Sequence, residues 1–170
     1  MAPSSPHAGS ETDRRDGRVL VAIALGSNLG DRASHLTFAC TQLAAIIERL
    51  RCSSFHETEP EDVGPQPRFL NAAAVGWSPL PAEALLDRLL AIERESGRER
   101  PFPGAPRTLD LDLVLYGGAI ITRPGLEVPH PRFRTRRFVL APLAEIAPDL
   151  VDPVTGLTVR ELLDRLDVRR

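Results

Sequence analysis

The order of apolar and polar positions predicts a strand, a helix and a second strand in the first part of the chain. Residues 19–25 are almost continuously apolar and run into the turn signal Gly26-Ser27-Asn28-Leu29-Gly30, a combination typical of a buried strand. Apolar residues then recur at helical spacing, which predicts a helix over residues 32–49. A short strand is predicted within residues 52–58.

The pattern continues with similar elements in the rest of the chain. Residues 70–77 predict a second buried strand, and Pro81 opens a second helix whose apolar face continues until Gly97. Leucines at every second position predict a strand over residues 107–116, and Ile120-Ile121 predicts a short one. Thr158-Val159-Arg160-Glu161 is a capping box, so we expect a last helix to begin there.

Three proline-containing segments interrupt these elements, at residues 59–68, 98–106 and 128–137. Each is predicted to be an irregular loop, and long loops in a compact domain are commonly functional. The element order predicts an α+β fold of the ferredoxin-like type, a two-layer sandwich in which helices pack on a mostly antiparallel sheet. A chain of 170 residues suits one such domain.

Composition bears on domain limits and location. Residues 1–18 are rich in proline, serine, glycine and charge, which predicts a disordered tail before a single domain over residues 19–170. The chain has no apolar run of transmembrane length and no apolar segment typical of a signal peptide. Cys40 and Cys52 lack the spacing of a metal site and indicate reduced thiols. We therefore expect a cytoplasmic protein without membrane contact.

The charged residues limit the classes of ligand. A net charge of −2 and an isoelectric point near 6.1 argue against non-specific nucleic-acid binding. All 21 basic residues are arginine. Any phosphate site must therefore be built from guanidinium groups, and a P-loop lysine is excluded.

Two carboxylates stand on the strand predicted over residues 107–116. Asp110 and Asp112 share one face, with Cα atoms about 6–7 Å apart, and the other face carries the leucines that we expect in the core: Leu109, Leu111, Leu113 and Leu115. Aspartate is depleted in strands, so the pair calls for a reason. One explanation is that the pair binds Mg²⁺, which prefers oxygen ligands. The alternative is that this face of the strand is solvated and carries the two acids without a function.

The neighbouring segments contain groups suited to anions and to a flat heterocycle. Arginines are concentrated in the second and third loops, and those of the third loop are Arg132, Arg134, Arg136 and Arg137. Carboxylates flanked by arginine-bearing loops are typical of phosphoryl transfer. Phe69 and Asn71 project from one face of a strand and together suit a polar ring.

Three motifs together resemble the 6-hydroxymethyl-7,8-dihydropterin pyrophosphokinase family of folate biosynthesis. The motifs are Phe69-Leu70-Asn71-Ala72-Ala73, Pro106-Arg107-Thr108-Leu109-Asp110-Leu111-Asp112 and Val128-Pro129-His130-Pro131. They occur in the expected order and spacing, and the resemblance covers residues 19–166. One departure is the loop before the Asp-bearing strand, where the family's tryptophan is missing.

The resemblance implies a reaction and a set of partners. ATP would donate a diphosphoryl group to the hydroxymethyl oxygen of the pterin, and AMP would leave. Two Mg²⁺ ions would be held by Asp110 and Asp112. The expected protein is a monomeric catalytic domain that binds these small molecules and neither nucleic acid nor membranes.

The resemblance also implies roles for individual residues of this chain. Arg98 and Arg107 match catalytic arginines on mobile loops. The positions that match ATP-binding residues are Glu93, Arg98, Arg107, His130 and Arg136. Those that match pterin-binding residues are Thr58, Phe69, Asn71 and Phe138.

Two alternatives from other functional classes remain at this point. A two-metal nucleotidyltransferase or nuclease would use the same aspartates, but it predicts a basic groove and leaves the Phe69–Asn71 pair without a role. A non-catalytic ferredoxin-like ligand-binding module would bind its ligand without dependence on magnesium.

Overall fold

The computed structural model describes residues 14–61, 63–97 and 102–169. The strands are β1 Arg14–Arg15, β2 Arg18–Ser27, β3 Glu48–Cys52, β4 His56–Thr58, β5 Phe69–Ser78, β6 Asp110–Tyr116, β7 Ile121–Arg123 and β8 Leu126–Val128. The α-helices are α1 Arg32–Ala44, α2 Ala82–Glu95, α3 Arg137–Ile146 and α4 Val159–Val168, and a short 3₁₀ helix covers Phe133–Thr135.

One antiparallel sheet organises the domain around β2. β5 pairs with one edge of β2, while β6 and the short β1 pair with the other edge. β3 and β4 then pair with different halves of β5. β7 and β8 form a separate hairpin. The order β6–β2–β5, followed by β3 and β4, places β2 at the centre, which explains its continuous apolar sequence.

The large aliphatic side chains of β2 lie on one face of the sheet. Val21, Ile23 and Leu25 are buried there with the apolar stripes of α1 and α2. Each helix presents residues at helical spacing to this core, including Leu36 and Leu43 of α1 and Leu85 and Leu89 of α2. This arrangement is the α+β, ferredoxin-like fold predicted from the sequence.

The opposite face of the sheet is covered by a second pair of helices, which the sequence analysis did not predict as a layer. Here β2 and β5 present small residues, including Ala22, Ala24 and Ala73, and these pack in a second core with Leu140 and Leu143 of α3. α4 contributes Leu162 and Leu163 to the same core. The description as a two-layer sandwich is therefore incomplete, since helices lie on both faces.

Several predicted boundaries differ from the structure. The first helix ends at Ala44 instead of residue 49, and β3 begins at Glu48. Ile47 stays in the core although it follows the helix, which extended the apolar periodicity past the true end. The strand predicted at residues 52–58 is in fact two segments, β3 and β4. β1 falls within the predicted tail and pairs with β2 through Arg14 and Val19, whereas residues 1–13 of that tail lie outside the described residues.

A β-bulge in β6 changes the predicted orientation of one leucine. Ala22 and Ile23 are adjacent in β2, yet they oppose Leu115 and Leu113, so Val114 is an extra residue. The side-chain alternation shifts at this point. Leu109, Leu111 and Leu113 face the first core as predicted, but Leu115 belongs to the second core together with Val114.

Candidate active site

Strand register brings the polar residues of three strands together on the second face of the sheet. Gly26 of β2 lies opposite Asn71 of β5 on one side and opposite Asp110 of β6 on the other. Two residues earlier in β2, Ala24 lies opposite Asp112 of β6. Because directly opposed residues share a face, the amide and both carboxylates line the same surface, with only small residues between them.

Gly26 leaves little space for a side chain in this arrangement. A Cβ atom at this position would lie 3.0 Å from Oδ1 of Asn71 and 3.8 Å from Cδ1 of Phe69. Asn71 is buried and donates a hydrogen bond from Nδ2 to Oγ1 of Thr58 at 2.6 Å. β4 pairs Thr58 directly with Phe69, so these two residues extend the same surface. The predicted pterin-binding residues of β4 and β5 are thus adjacent.

Arg107 connects the aromatic and carboxylate parts of the site. Its Nη1 donates to Oδ2 of Asp110 at 2.9 Å, and both side chains are largely buried. Its guanidinium also lies over the Phe69 ring, with Cζ 5.5 Å from the centroid, a distance typical of cation–π contact. Nε of Arg107 is buried and makes no hydrogen bond within the part of the chain that the structure describes.

The arginines of the third loop divide into two pairs. Arg132 and Arg136 line the site, and Cζ of Arg136 lies 5.5 Å from the centroid of the Phe138 ring. Arg134 instead makes a two-point ion pair with the fully buried Asp152, with Nε–Oδ2 2.6 Å and Nη2–Oδ1 2.9 Å.

Arg137, the fourth arginine of this loop, pairs with Asp167 of α4 at 2.9 Å. Clustering in the sequence therefore indicated four phosphate-binding candidates, of which the structure brings Arg132 and Arg136 to the site. Arg134 and Arg137 connect this loop to the C-terminal part of the domain.

Hydrogen bonds to the main chain of Val114 and of Arg132 hold His130 in place. Its N–H donates to the carbonyl of Val114, the bulge residue, at 2.9 Å, and Nδ1 accepts from the N–H of Arg132 at 3.1 Å. Burial, followed by the charge of Arg136, lowers the pKa of His130 below its ordinary value, although Asp110 acts in the opposite direction. An imidazole whose Nδ1 is an acceptor is neutral with its proton on Nε2.

Glu93, one of the predicted nucleotide-binding residues, lies away from the cavity. Glu93 is buried on α2, outside the cavity lining, and its Oε1 accepts a hydrogen bond from the N–H of Leu111 at 2.7 Å. This contact gives a hydrogen-bond acceptor to the backbone N–H of Leu111, the residue between the two aspartates of β6. Arg98 lies outside the described residues. The nucleotide-binding roles of both stay predictions.

The site contains a cavity of about 420 Å³, a size common for small-molecule sites. The predicted site residues that line it are Thr58, Phe69, Asn71, Arg107, Asp110, Asp112, Arg136 and Phe138. Residues of the first two loops also line it: Glu59, Glu61, Val63, Pro103 and Gly104.

The acidic pair fits the ligand preferences of Mg²⁺. Asp110 and Asp112 lie two residues apart on one strand face, and both line the cavity. Within the described ranges, no group of three or more His, Cys, Asp or Glu residues is arranged to hold a metal. Two carboxylates suit Mg²⁺, which usually completes its shell with waters and substrate phosphates.

Comparison with known proteins assigns the chain to a family. Residues 22–148 match the family model of 7,8-dihydro-6-hydroxymethylpterin-pyrophosphokinase (HPPK). The chain belongs to this family. A 2-amino-4-hydroxy-6-hydroxymethyldihydropteridine pyrophosphokinase of Synechocystis sp. is 41% identical over 169 residues, which cover 98% of this chain and 84% of the relative. The enzyme of the same name from Methylorubrum extorquens is 44% identical over 147 residues, which cover 85% of this chain and 92% of that relative.

The HPPK fold is also found in solved structures. The crystal structure of wild-type Plasmodium falciparum HPPK-DHPS aligns with a TM-score of 0.72 over 89% of this chain, at 14% identity. This chain spans 45% of that longer protein, and at this identity the likeness establishes the fold alone. The family model and the relatives named above confirm the family resemblance and the folate-biosynthesis pyrophosphokinase class predicted from the sequence. Among the described helices, none has the length and apolarity needed to cross a bilayer.

Sequence reasoning missed Gly26 of this HPPK site and did not single out Arg132. Gly26 belongs to a recognised turn signal, but its position between Asn71 and Asp110 follows from strand pairing, which the chain order does not reveal. Arg132 carried no signal that distinguished it from Arg134. Spacing alone could not show which of these two faces the cavity.

Proposed function

We propose that this HPPK-family protein transfers the diphosphoryl group of ATP to the hydroxymethyl oxygen of 6-hydroxymethyl-7,8-dihydropterin and releases AMP. The observation that carries the proposal is the row Asn71–Gly26–Asp110 across three neighbouring strands. It joins a surface suited to a flat, hydrogen-bonding ring directly to a pair of carboxylates. A pterin held on the first part would present its hydroxymethyl group to phosphates held on the second.

The pterin side is built from two aromatic rings and an oriented amide. Phe69 and Phe138 come from different elements, β5 and the first turn of α3, and both line the cavity. Asn71 lines the same cavity, and the hydrogen bond from its Nδ2 to Thr58 fixes the side-chain amide, so its carbonyl oxygen would accept from a ring N–H. Rings that stack and an amide that pairs with an edge favour a planar heterocycle over an extended nucleic acid.

The phosphate side combines carboxylates with arginines. Bound to Asp110, Asp112 and the phosphates, two Mg²⁺ ions would neutralise charge at the phosphorus under attack. Arg107, Arg132 and Arg136 supply guanidinium groups around the same cavity, where they would stabilise the charge that develops on the phosphates.

The reaction balances without a dedicated base. The hydroxymethyl oxygen forms a bond to the β-phosphorus, and the bond from that phosphorus to the oxygen bridging to the α-phosphorus breaks, so the electron pair leaves with AMP. The hydroxyl proton departs late to solvent. The residues act by positioning and charge neutralisation, which is the usual basis of phosphoryl-transfer catalysis. Monomeric state and cytoplasmic location stay predictions.

The direct test is product analysis of the purified protein with ATP, Mg²⁺ and the hydroxymethyl dihydropterin. We expect AMP and the pterin diphosphate in equal amounts, and no AMP when the pterin is omitted. Release of ADP, or pterin-independent hydrolysis of ATP, would overturn the proposal. Magnesium-dependent cleavage of an oligonucleotide would support the nuclease alternative instead.

A further inference from the structure

The side chain of Asn28 joins the end of β2 to both loops that border the cavity. Asn28 is buried with 1% exposure. Its Nδ2 donates to Oε1 of Gln66 at 2.9 Å and to the carbonyl of Pro67 at 3.2 Å, both in the first loop. Its Oδ1 accepts from the N–H of Arg107 at 2.9 Å, and its own N–H donates to the carbonyl of Arg107 at 3.1 Å. All its amide groups are therefore engaged.

Gln66 makes a second, direct connection between the two loops. While its Oε1 accepts from Asn28, its Nε2 donates to the carbonyl oxygen of Gly104 in the second loop. Close packing accompanies this bond, since a Cβ at Gly104 would lie 3.5 Å from Cγ1 of Val63. The side chain of Gln66 thus links the first loop to the residue three positions before Arg107.

The two linked loops contribute different groups to the proposed reaction. The first loop lies between Thr58 and Phe69, which belong to the proposed pterin side, and the second loop carries Arg107 on the phosphate side. The described parts of the two loops, residues 59–61, 63–68 and 102–106, contain no helix or strand that would fix them independently. Side-chain hydrogen bonds between them are therefore a means to keep the two sides in a constant relationship.

We propose that Gln66 is a positioning residue that couples the pterin-side loop to the placement of Arg107, acting through Asn28 and Gly104. Gln66 is not among the residues that line the cavity, so it would act through these contacts and not by touching a substrate. It holds the second loop so that the Arg107 guanidinium lies where charge develops on the phosphates. The inference rests on the function proposed above, because it assigns a reaction step to Arg107.

Two substitutions separate the contacts of Gln66. Gln66→Glu keeps an oxygen that can accept from Asn28 but replaces the donor to Gly104 with a second oxygen. Gln66→Ala removes both contacts. We expect the single-turnover rate to fall about tenfold in each variant, the scale set by loss of one or two hydrogen bonds, while the Kd for the pterin changes less than about twofold. Gln42→Ala, on α1 and away from the cavity lining, is the matched control.

A double-mutant cycle tests whether the effect passes through Arg107. In an Arg107→Ala background, Gln66→Ala should cause no further loss of rate, because the group that it positions is gone. If the rate of the double variant were reduced by the product of the two single-variant losses, the proposal would be overturned. A wild-type rate in Gln66→Ala would overturn it as well. A parallel fall in rate and pterin affinity would indicate general loop damage and would also contradict it.

Hydrogen exchange gives a readout that needs no turnover. The amide of Arg107 is bonded to Asn28, so we expect residues 102–107 to exchange faster in Gln66→Ala than in wild type, with unchanged exchange in β2 and β5. Unchanged exchange at residues 102–107 would refute the coupling. If wild type released no AMP with the pterin, the proposed function would fail, and this comparison would still decide whether Gln66 fixes the second loop.

Discussion

Nη1 of Arg107 lies 2.9 Å from Oδ2 of Asp110, so an arginine from the second loop contacts one of the two carboxylates proposed to hold magnesium. Arg107 and a bound cation would therefore share a ligand. When the phosphates of ATP enter, the guanidinium can exchange the carboxylate for phosphate oxygens of the same charge sign. Arg107 would therefore change its contacts when the phosphates bind.

Replacing Arg107 with alanine should slow the chemical step more than it weakens pterin binding. The guanidinium acts on charge in the transition state, so the single-turnover rate should fall by about a hundredfold or more, with pterin affinity within a few-fold of wild type. Rapid-quench measurement of AMP, together with pterin titration, separates the two. If Arg107→Ala lost most of its pterin affinity but kept the wild-type single-turnover rate, the proposed transition-state role of Arg107 would be wrong.

Gly26→Ala should damage the pterin side without unfolding the domain. The new Cβ would lie 3.0 Å from Oδ1 of Asn71, so the amide must shift from its position against Thr58. We expect about a tenfold loss of pterin affinity, in line with one displaced hydrogen bond. Gly64→Ala, where a Cβ meets nothing within 4 Å, is the control. Equal pterin affinities in both variants would contradict the assignment of Asn71.

Protonation of His130 should destabilise the protein as the pH falls. Its folded-state pKa is lowered, so between that value and the unfolded value of about 6.5 the unfolded chain binds more protons, and stability rises with pH. Below this window, protonation also removes the acceptor that Nδ1 offers to Arg132. The melting temperature of wild type should therefore fall more steeply than that of His130→Asn between pH 7 and pH 5. If the melting temperatures of wild type and His130→Asn changed in parallel with pH, the pKa of His130 would not be lowered in the folded protein.

Glu93 offers a test of structural against nucleotide-binding roles. Glu93→Ala leaves the buried N–H of Leu111 without its acceptor, at a cost of about 1–3 kcal/mol in the free energy of unfolding. Glu93→Gln retains an oxygen for that bond and should keep most of the stability. If the family role in nucleotide binding also applies, the KM for ATP should rise in both variants. An unchanged KM in folded Glu93→Gln would limit Glu93 to support of β6.

The sequence predicted those parts of the fold and site that depend on local pattern. The alternation that placed Asp110 and Asp112 on one face holds as far as Leu113, because strand geometry fixes it. It fails at Leu115, since the bulge at Val114 depends on pairing with β2 and on the third loop. The second helical layer was hidden because Pro142 lies inside α3 and because the small residues that receive α3 look like ordinary strand residues.

Long-range contacts account for most of what the sequence could not reveal. Arg132 and Arg134 belong to the same loop, but the buried Asp152 lies 18 residues after Arg134 and draws it away from the cavity. In the same way, the bond between Asn28 and Arg107 joins positions 79 residues apart. Such contacts follow from the assembled sheet and carry no local signature.

The most direct test of the central claim is magnesium-dependent AMP release by wild type and by Asp112→Ala, with the hydroxymethyl dihydropterin present. We predict that wild type requires Mg²⁺ and that the variant, with an unchanged circular dichroism spectrum, loses at least about a hundredfold of the rate. AMP release by Asp112→Ala at the wild-type rate, or release by wild type that persists after complete removal of divalent cations, would contradict the account.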